Sequence, residues 1–92
     1  MPKDLGLRFV DPADTRIFNI DWSPWLNKLS AVIANSTWVV ATGLTDLAES
    51  NTTLKTSIKL SGWTSGNAYK LINTVSTNTG ETRRVEFVVE CQ

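Results

Sequence analysis

The residues able to do chemistry are few and scattered. Histidine is absent, and there is one cysteine, Cys91, beside the C-terminus. The lack of histidine removes the commonest general base, metal ligand and physiological-pH switch together. Cys91 has no second cysteine to bridge and reads as a small apolar residue ending a strand. Among the acids, Asp11 and Asp14 are close in sequence, and Glu86 and Glu90 fall on one strand face. Paired acid–base carboxylates need a shared cleft that separates their pKa values. Nothing in this spacing builds one, so these acids read as solvated surface charge. Asp11-Pro12-Ala13-Asp14 lacks the acidic density of a calcium loop and reads as a turn initiated by Asp-Pro. Serine and threonine are abundant, but neither a histidine nor a Gly-x-Ser-x-Gly elbow accompanies them, and no glycine-rich phosphate loop is present. No catalytic residue, cofactor or metal is expected, and the chain reads as a non-enzyme.

Composition excludes further classes. Nine Lys+Arg balance nine Asp+Glu in 92 residues, and no charge block exceeds a pair such as Arg83-Arg84. Phosphate backbones are bound by concentrated positive charge, so nucleic acid is not an expected partner. The longest purely apolar runs, Ala31 to Ala34 and Trp38 to Ala41, are four residues each, against roughly 20 for a membrane-spanning helix. Lys3, Asp4 and Arg8 break up the first ten residues, so no secretion signal is expected. These features imply a soluble protein made in the cytoplasm. The sequons Asn35-Ser36-Thr37 and Asn51-Thr52-Thr53 are then chance matches in a Ser- and Thr-rich chain.

The four tryptophans are the informative excess. Trp38 lies mid-strand among aliphatic residues and is the expected core tryptophan. Trp22, Trp25 and Leu26 belong to Asp21-Trp22-Ser23-Pro24-Trp25-Leu26, read as a turn after a strand, and Trp63 follows Gly62 in a loop. Loop aromatics mark contact sites or plug the open ends of a small sandwich. Trp25 is read as a contact; for Trp22 and Trp63 both readings stand. The protein-contact candidates are Trp22, Trp25, Leu26 and Trp63.

Stepping from these residues to the elements that must hold them, the dominant signal is period-2 alternation broken by Gly, Asn, Asp and Ser. Arg16 to Trp22 puts Phe18, Ile20 and Trp22 on one face. Leu29 to Val40 reads as two short strands or one with a bulge, with Trp38 and Val40 on one face. Thr52 to Leu60 aligns Leu54, Thr56, Ile58 and Leu60. Ala68 to Thr77 aligns Tyr69, Leu71, Asn73 and Val75, and Arg83 to Cys91 aligns Val85, Phe87, Val89 and Cys91. Ser76 to Glu81 is a hairpin loop in which Gly80 supplies the positive φ. Leu44 to Glu49 is a short strand or loop. The expected core is therefore Phe18, Ile20, Trp38, Val40, Leu54, Ile58, Leu60, Tyr69, Leu71, Val75, Val85, Phe87 and Val89. About six or seven short strands predict an all-β, immunoglobulin-like antiparallel β-sandwich over residues 16–92, preceded by an N-terminal arm over 1–15. Such an arm would add to a neighbour's sheet edge. Leu60-Ser61-Gly62, a loop and then Tyr69 suit a tyrosine corner, with a plain core tyrosine as the alternative.

Five strings carry a resemblance. Asp11-Pro12-x-Asp14, Asp21-Trp22-Ser23-x-Trp25-Leu26, Ser36-Thr37-Trp38, Leu60-Ser61-Gly62 and Tyr69-x-Leu71-x-Asn73-Thr74-Val75 resemble a family of small tailed-bacteriophage virion proteins of the fibre-tail adaptor type. The likeness runs from about Asp11 to Val89. The chain departs from the pattern at Trp63, where a glycine is expected, and at Leu71, where valine is usual. The resemblance implies a disulfide-free virion structural protein, made in the host cytoplasm and present in several symmetric copies. It would act as an adaptor or decoration subunit at the head, neck or tail. Its implied partners are other virion proteins: capsid, connector, tail or fibre subunits. The alternative function is a carbohydrate-binding or host-surface adhesion module in which Trp25 and Trp63 stack on sugar rings.

Overall fold

A computed structural model describes the backbone from Asp4 to Gln92 and the side chains from Phe9 onward. Among the described residues, seven strands form two sheets. The first sheet runs β1-β7-β6-β3, built from β1 (Asp4–Val10), β7 (Thr82–Cys91), β6 (Ala68–Thr77) and β3 (Ile33–Val40). The second runs β2-β5-β4, built from β2 (Arg16–Asp21), β5 (Lys55–Ser61) and β4 (Thr45–Asn51). This is an all-β sandwich with immunoglobulin-type connectivity: β2-β5-β4 take the places of strands B, E and D, and β3-β6-β7 those of C, F and G.

The alternation in the sequence becomes the burial pattern of the strands. In β6, Tyr69, Leu71, Asn73, Val75 and Thr77 point inward, and in β7 Val85, Phe87, Val89 and Cys91 do the same. From the other sheet come Phe18 and Ile20 of β2 and Thr56, Ile58 and Leu60 of β5. Each sheet has one apolar face, and the pairing closes the two faces over each other. Val40 and Leu54 pack against this core and are only partly buried. Trp38 is also only partly buried, its ring edge-on to Phe87 at 6.3 Å. It sits on β3, the last strand of its sheet, and an edge strand lacks a neighbour to seal its inner face on one side.

Two segments differ from the sequence-based expectation, and two resolve between its alternatives. Residues 4–10 of the segment read as an arm form β1, which pairs in parallel with β7 from Asp4↔Glu86 to Val10↔Cys91. This strand alternates poorly in sequence, so only the neighbouring backbone of β7 reveals it. Met1 to Lys3 lie outside the described residues. Asp21 to Leu26, read as a turn, instead leads into a helix, α1 (Ser23–Leu29), with Pro24 in its first turn and Ser30 closing it in the left-handed region at φ 51°. Seven residues are too few to display a helical period, and Pro24 suits a helix start as well as it suits a turn. Of Leu44 to Glu49, read as a short strand or loop, Thr45 onward lies in the strand β4, which pairs with β5 through a bulge between Asp46 and Ala48. The Leu29 to Val40 stretch resolves into the end of α1 and one strand, β3, whose register shifts between Ile33 and Asn35.

Tyr69 opens β6 with its hydroxyl accepting a hydrogen bond from the Thr64 backbone N–H at 2.9 Å. This is the upstream contact of a tyrosine corner, and it ties the loop after β5 to the first sheet. Gly62, in that loop, has φ 88°, and a Cβ there would lie 3.1 Å from the Gly43 carbonyl oxygen. Only glycine meets both conditions without displacement.

Candidate protein-contact surface

The end of the sandwich bearing α1 is organised by one buried side chain. Trp22 follows β2, is completely buried, and inserts its indole between the sheets. Its Nε1–H donates to Thr56 Oγ1 and to Asn73 Oδ1, both at 3.1 Å. Thr56 Oγ1 donates to the same Asn73 oxygen at 2.7 Å. Asn73 Nδ2 then donates to Ser36 Oγ at 3.0 Å and to the Thr37 carbonyl at 2.9 Å. The chain of bonds runs from the end of β2 through β5 and β6 to β3, so it pins both sheets together. Buried polar groups are costly unless paired, and here donors and acceptors match.

From this anchor α1 is laid across the open end. Leu26, one turn beyond Trp22, is completely buried. The Ser23 hydroxyl and N–H hydrogen-bond the Asp21 carboxylate, which holds that carboxyl below its ordinary value and supplies an acceptor at the helix entrance. Neighbouring loops are tied down around it. The Trp22 N–H donates to Leu54 O at 2.9 Å and the Ile33 N–H to Thr53 O at 2.8 Å. Val32 and Asn78 exchange two bonds, at 3.0 and 3.1 Å.

Trp25 lies on the outer side of this frame. Its ring meets Trp22 edge-on at 5.8 Å and carries the Arg83 guanidinium over it at 5.2 Å. Leu29 is partly buried beside the core, and Val32 remains 38% exposed. The result is a small rigid surface with an indole, aliphatic groups and a guanidinium. Such surfaces suit protein contacts, where Trp and Arg are enriched and where preformed side chains lose little entropy on binding.

The contact candidates thus divide. Trp25 is partly buried against the core and reaches the surface only in part. Trp22, Leu26 and Trp63 do not: Trp22 and Leu26 are fully buried, and Trp63 is 4% exposed, edge-on to Phe18 at 6.1 Å and to Tyr69 at 5.4 Å. Strand-end aromatics look exposed in a linear sequence, but a domain this small closes its open ends with them. The polar residues Thr56 and Asn73 were the signal the sequence offered and composition hid. Each falls on an otherwise apolar strand face, and a buried hydroxyl or amide demands a partner.

Elsewhere the surface holds little that suggests catalysis. A shallow depression of about 430 Å³ on the smaller sheet, around the β4–β5 turn, is lined by Asn19, Ser50, Asn51, Thr52, Lys55 and Ser57. Its lining has hydroxyls and amides but no aromatic ring. Among the described residues, no three Cys, Asp or Glu side chains converge as metal ligands.

Residues 11–90 match the family described as podophage GP4 fiber-tail adaptor protein gp77. This chain belongs to the Gp77 fibre-tail adaptor family. That family indicates a structural role as a fibre-tail adaptor and a place in the virion. No curated protein matches this chain. Among solved structures, the adaptor resembles part of a 2,6-sialyltransferase from Photobacterium sp. JT-ISH-224, with 14% identity and a TM-score of 0.63. The match covers 99% of the adaptor but only 18% of the enzyme chain. At that identity the likeness shows the sandwich fold alone.

Proposed function

We propose that the adaptor joins fibre to tail as a non-enzymatic module, in several symmetric copies, by direct contact with neighbouring virion proteins. The observation that carries this reading is the family membership of residues 11–90, together with a preformed contact surface at Trp25. That surface is built on α1, a helix fixed by Trp22 and Leu26, so the partner meets a rigid face. Zero net charge fits attachment through apolar and aromatic groups more than long-range steering. Closed symmetry of the tail would present the same Trp25 surface once per copy. The carbohydrate reading loses its stacking pair, because Trp63 is buried and Arg83 lies over Trp25.

The test is reconstitution. Particles lacking the adaptor are mixed with purified protein, and fibre retention is measured by sedimentation and electron microscopy. Trp25→Ala should keep the circular dichroism spectrum and lower fibre retention about ten-fold or more, the loss expected of an aromatic anchor. Full retention with Trp25→Ala would remove this surface from the proposal. Failure of the unaltered protein to restore fibres would overturn the adaptor role itself.

A further inference from the structure

The two strands on one flank of the sandwich are unequally finished. β3 ends its sheet, and its eight residues contain no charge and no proline; the Ile33 and Ser36 N–H groups are taken by Thr53 O and Asn35 Oδ1 and the register shifts between Ile33 and Asn35, which leaves Thr37-Trp38-Val39-Val40 as the open stretch. An uncharged open edge is a template for pairing with another chain. The edges of the second sheet are better guarded, because β2 carries Arg16 and Asp21 and β4 carries Asp46 and Glu49.

Beside β3, the second sheet lacks a cover. All seven residues of β4 are exposed, so both of its faces meet solvent. Its register shows which residues face inward. Asp46 pairs with Leu60, Glu49 with Ile58 and Asn51 with Thr56, and those three β5 partners point into the core. Asp46, Glu49 and Asn51 therefore stand on the sandwich-facing side of β4, where a strand of the opposite sheet would normally lie. The two carboxyls are close enough to share a hydrogen bond, which pushes Glu49 up to about 7. On the outer face, Val39 is 59% exposed and stands opposite Ile72.

We infer that β3 receives an extended segment of a neighbouring virion protein as a fifth strand of the larger sheet, a segment that alternates apolar residues with Lys or Arg. Backbone bonds to β3 would supply affinity, and the alternation would supply specificity. One face of the incoming strand continues the Val39–Ile72 apolar strip. The other turns its basic side chains over β4, onto the Asp46 and Glu49 carboxyls. A second copy of this chain fits poorly, because β3-to-β3 pairing about a two-fold axis draws the acidic β4 strands of both copies together. The inference rests on the adaptor reading and gives it a second surface, on the flank rather than the α1 end.

The experiment uses the same reconstituted particles. Hydrogen exchange of the adaptor is compared free and assembled, with fibre retention recorded in parallel. Assembly should slow exchange of the outward amides within Thr37–Val40 about ten-fold or more, because an added strand protects edge amides. Asp46→Lys with Glu49→Lys alters exposed side chains only, so the thermal transition should survive while retention falls about ten-fold from charge repulsion. If fibres are retained but β3 exchange is unchanged, or if the charge-reversed protein retains fibres like the original, strand addition is overturned and the adaptor role stands. If the original protein restores no fibres, the adaptor role has failed and the strand inference falls with it.

Discussion

Replacing Asn73 with leucine isolates what the buried network contributes. Leucine keeps the branched shape of asparagine with larger terminal groups, so the change removes hydrogen bonds without opening a cavity. Asn73 Oδ1 accepts from Trp22 Nε1 and Thr56 Oγ1, and Nδ2 donates to Ser36 Oγ and the Thr37 carbonyl. In the variant, Trp22 keeps one acceptor, Thr56 Oγ1. The Thr56 hydroxyl and the Thr37 carbonyl lose their side-chain partner. A buried group left unsatisfied costs about 1–3 kcal/mol; two such groups, partly offset by the apolar side chain, give about 3 kcal/mol. For a domain of this size each kcal/mol moves Tm by about 4–8 °C, so Tm should fall by about 12 °C or more. Thr56→Val is milder, about 1 kcal/mol, because the Trp22 N–H still has Asn73 Oδ1. The double variant is the decisive case. Each single change leaves the indole N–H one acceptor, and the double change leaves it none in a fully buried site. Its loss should exceed the sum of the singles by about 1 kcal/mol or more. Urea unfolding followed by tryptophan fluorescence measures all three. A loss below about 0.5 kcal/mol for Asn73→Leu, or strict additivity in the double variant, would refute the pairing argument.

Three further outcomes follow from local geometry. Tyr69→Phe removes the acceptor of the Thr64 N–H, so exchange at that amide should accelerate and the urea midpoint should fall while the fold is kept. Gly62→Ala should destabilise by about 2 kcal/mol, from the left-handed backbone plus the close Gly43 carbonyl, whereas Gly80→Ala, also at positive φ but in open space, should cost about 1 kcal/mol; denaturant midpoints that do not differ would sink the steric reasoning. Stability should decline slightly as pH rises between about 4.5 and about 7. Glu49 is raised to about 7 in the fold from 4.5 by its hydrogen bond to Asp46, so the folded state holds a proton that the unfolded chain releases. That contribution is complete below the unfolded pKa and is lost as pH passes through the folded one. Solvent screening at this exposed site keeps it small, and Glu49→Gln should flatten the profile.

The inward faces of β2, β5, β6 and β7 were legible from sequence because a strand's two-residue period is local: Phe18, Ile20, Ile58, Leu60, Leu71, Val75, Val85, Phe87 and Val89 are all buried. The absence of histidine and the dispersed acids likewise bound the chemistry without any fold. Tertiary structure decided what depends on who lies next to whom. Trp22, Leu26 and Trp63 became interior because a short helix and a loop close the ends of the sandwich, while Trp38, central in its strand, was left at the margin because β3 has no outer neighbour. Residues 4–10 became a strand only because β7 offered a free edge for parallel pairing. Asn73 and Thr56 became a clasp only when both sheets brought them within reach of one indole. Periodicity tells each side chain which way to point; the packing of distant segments decides what it meets there.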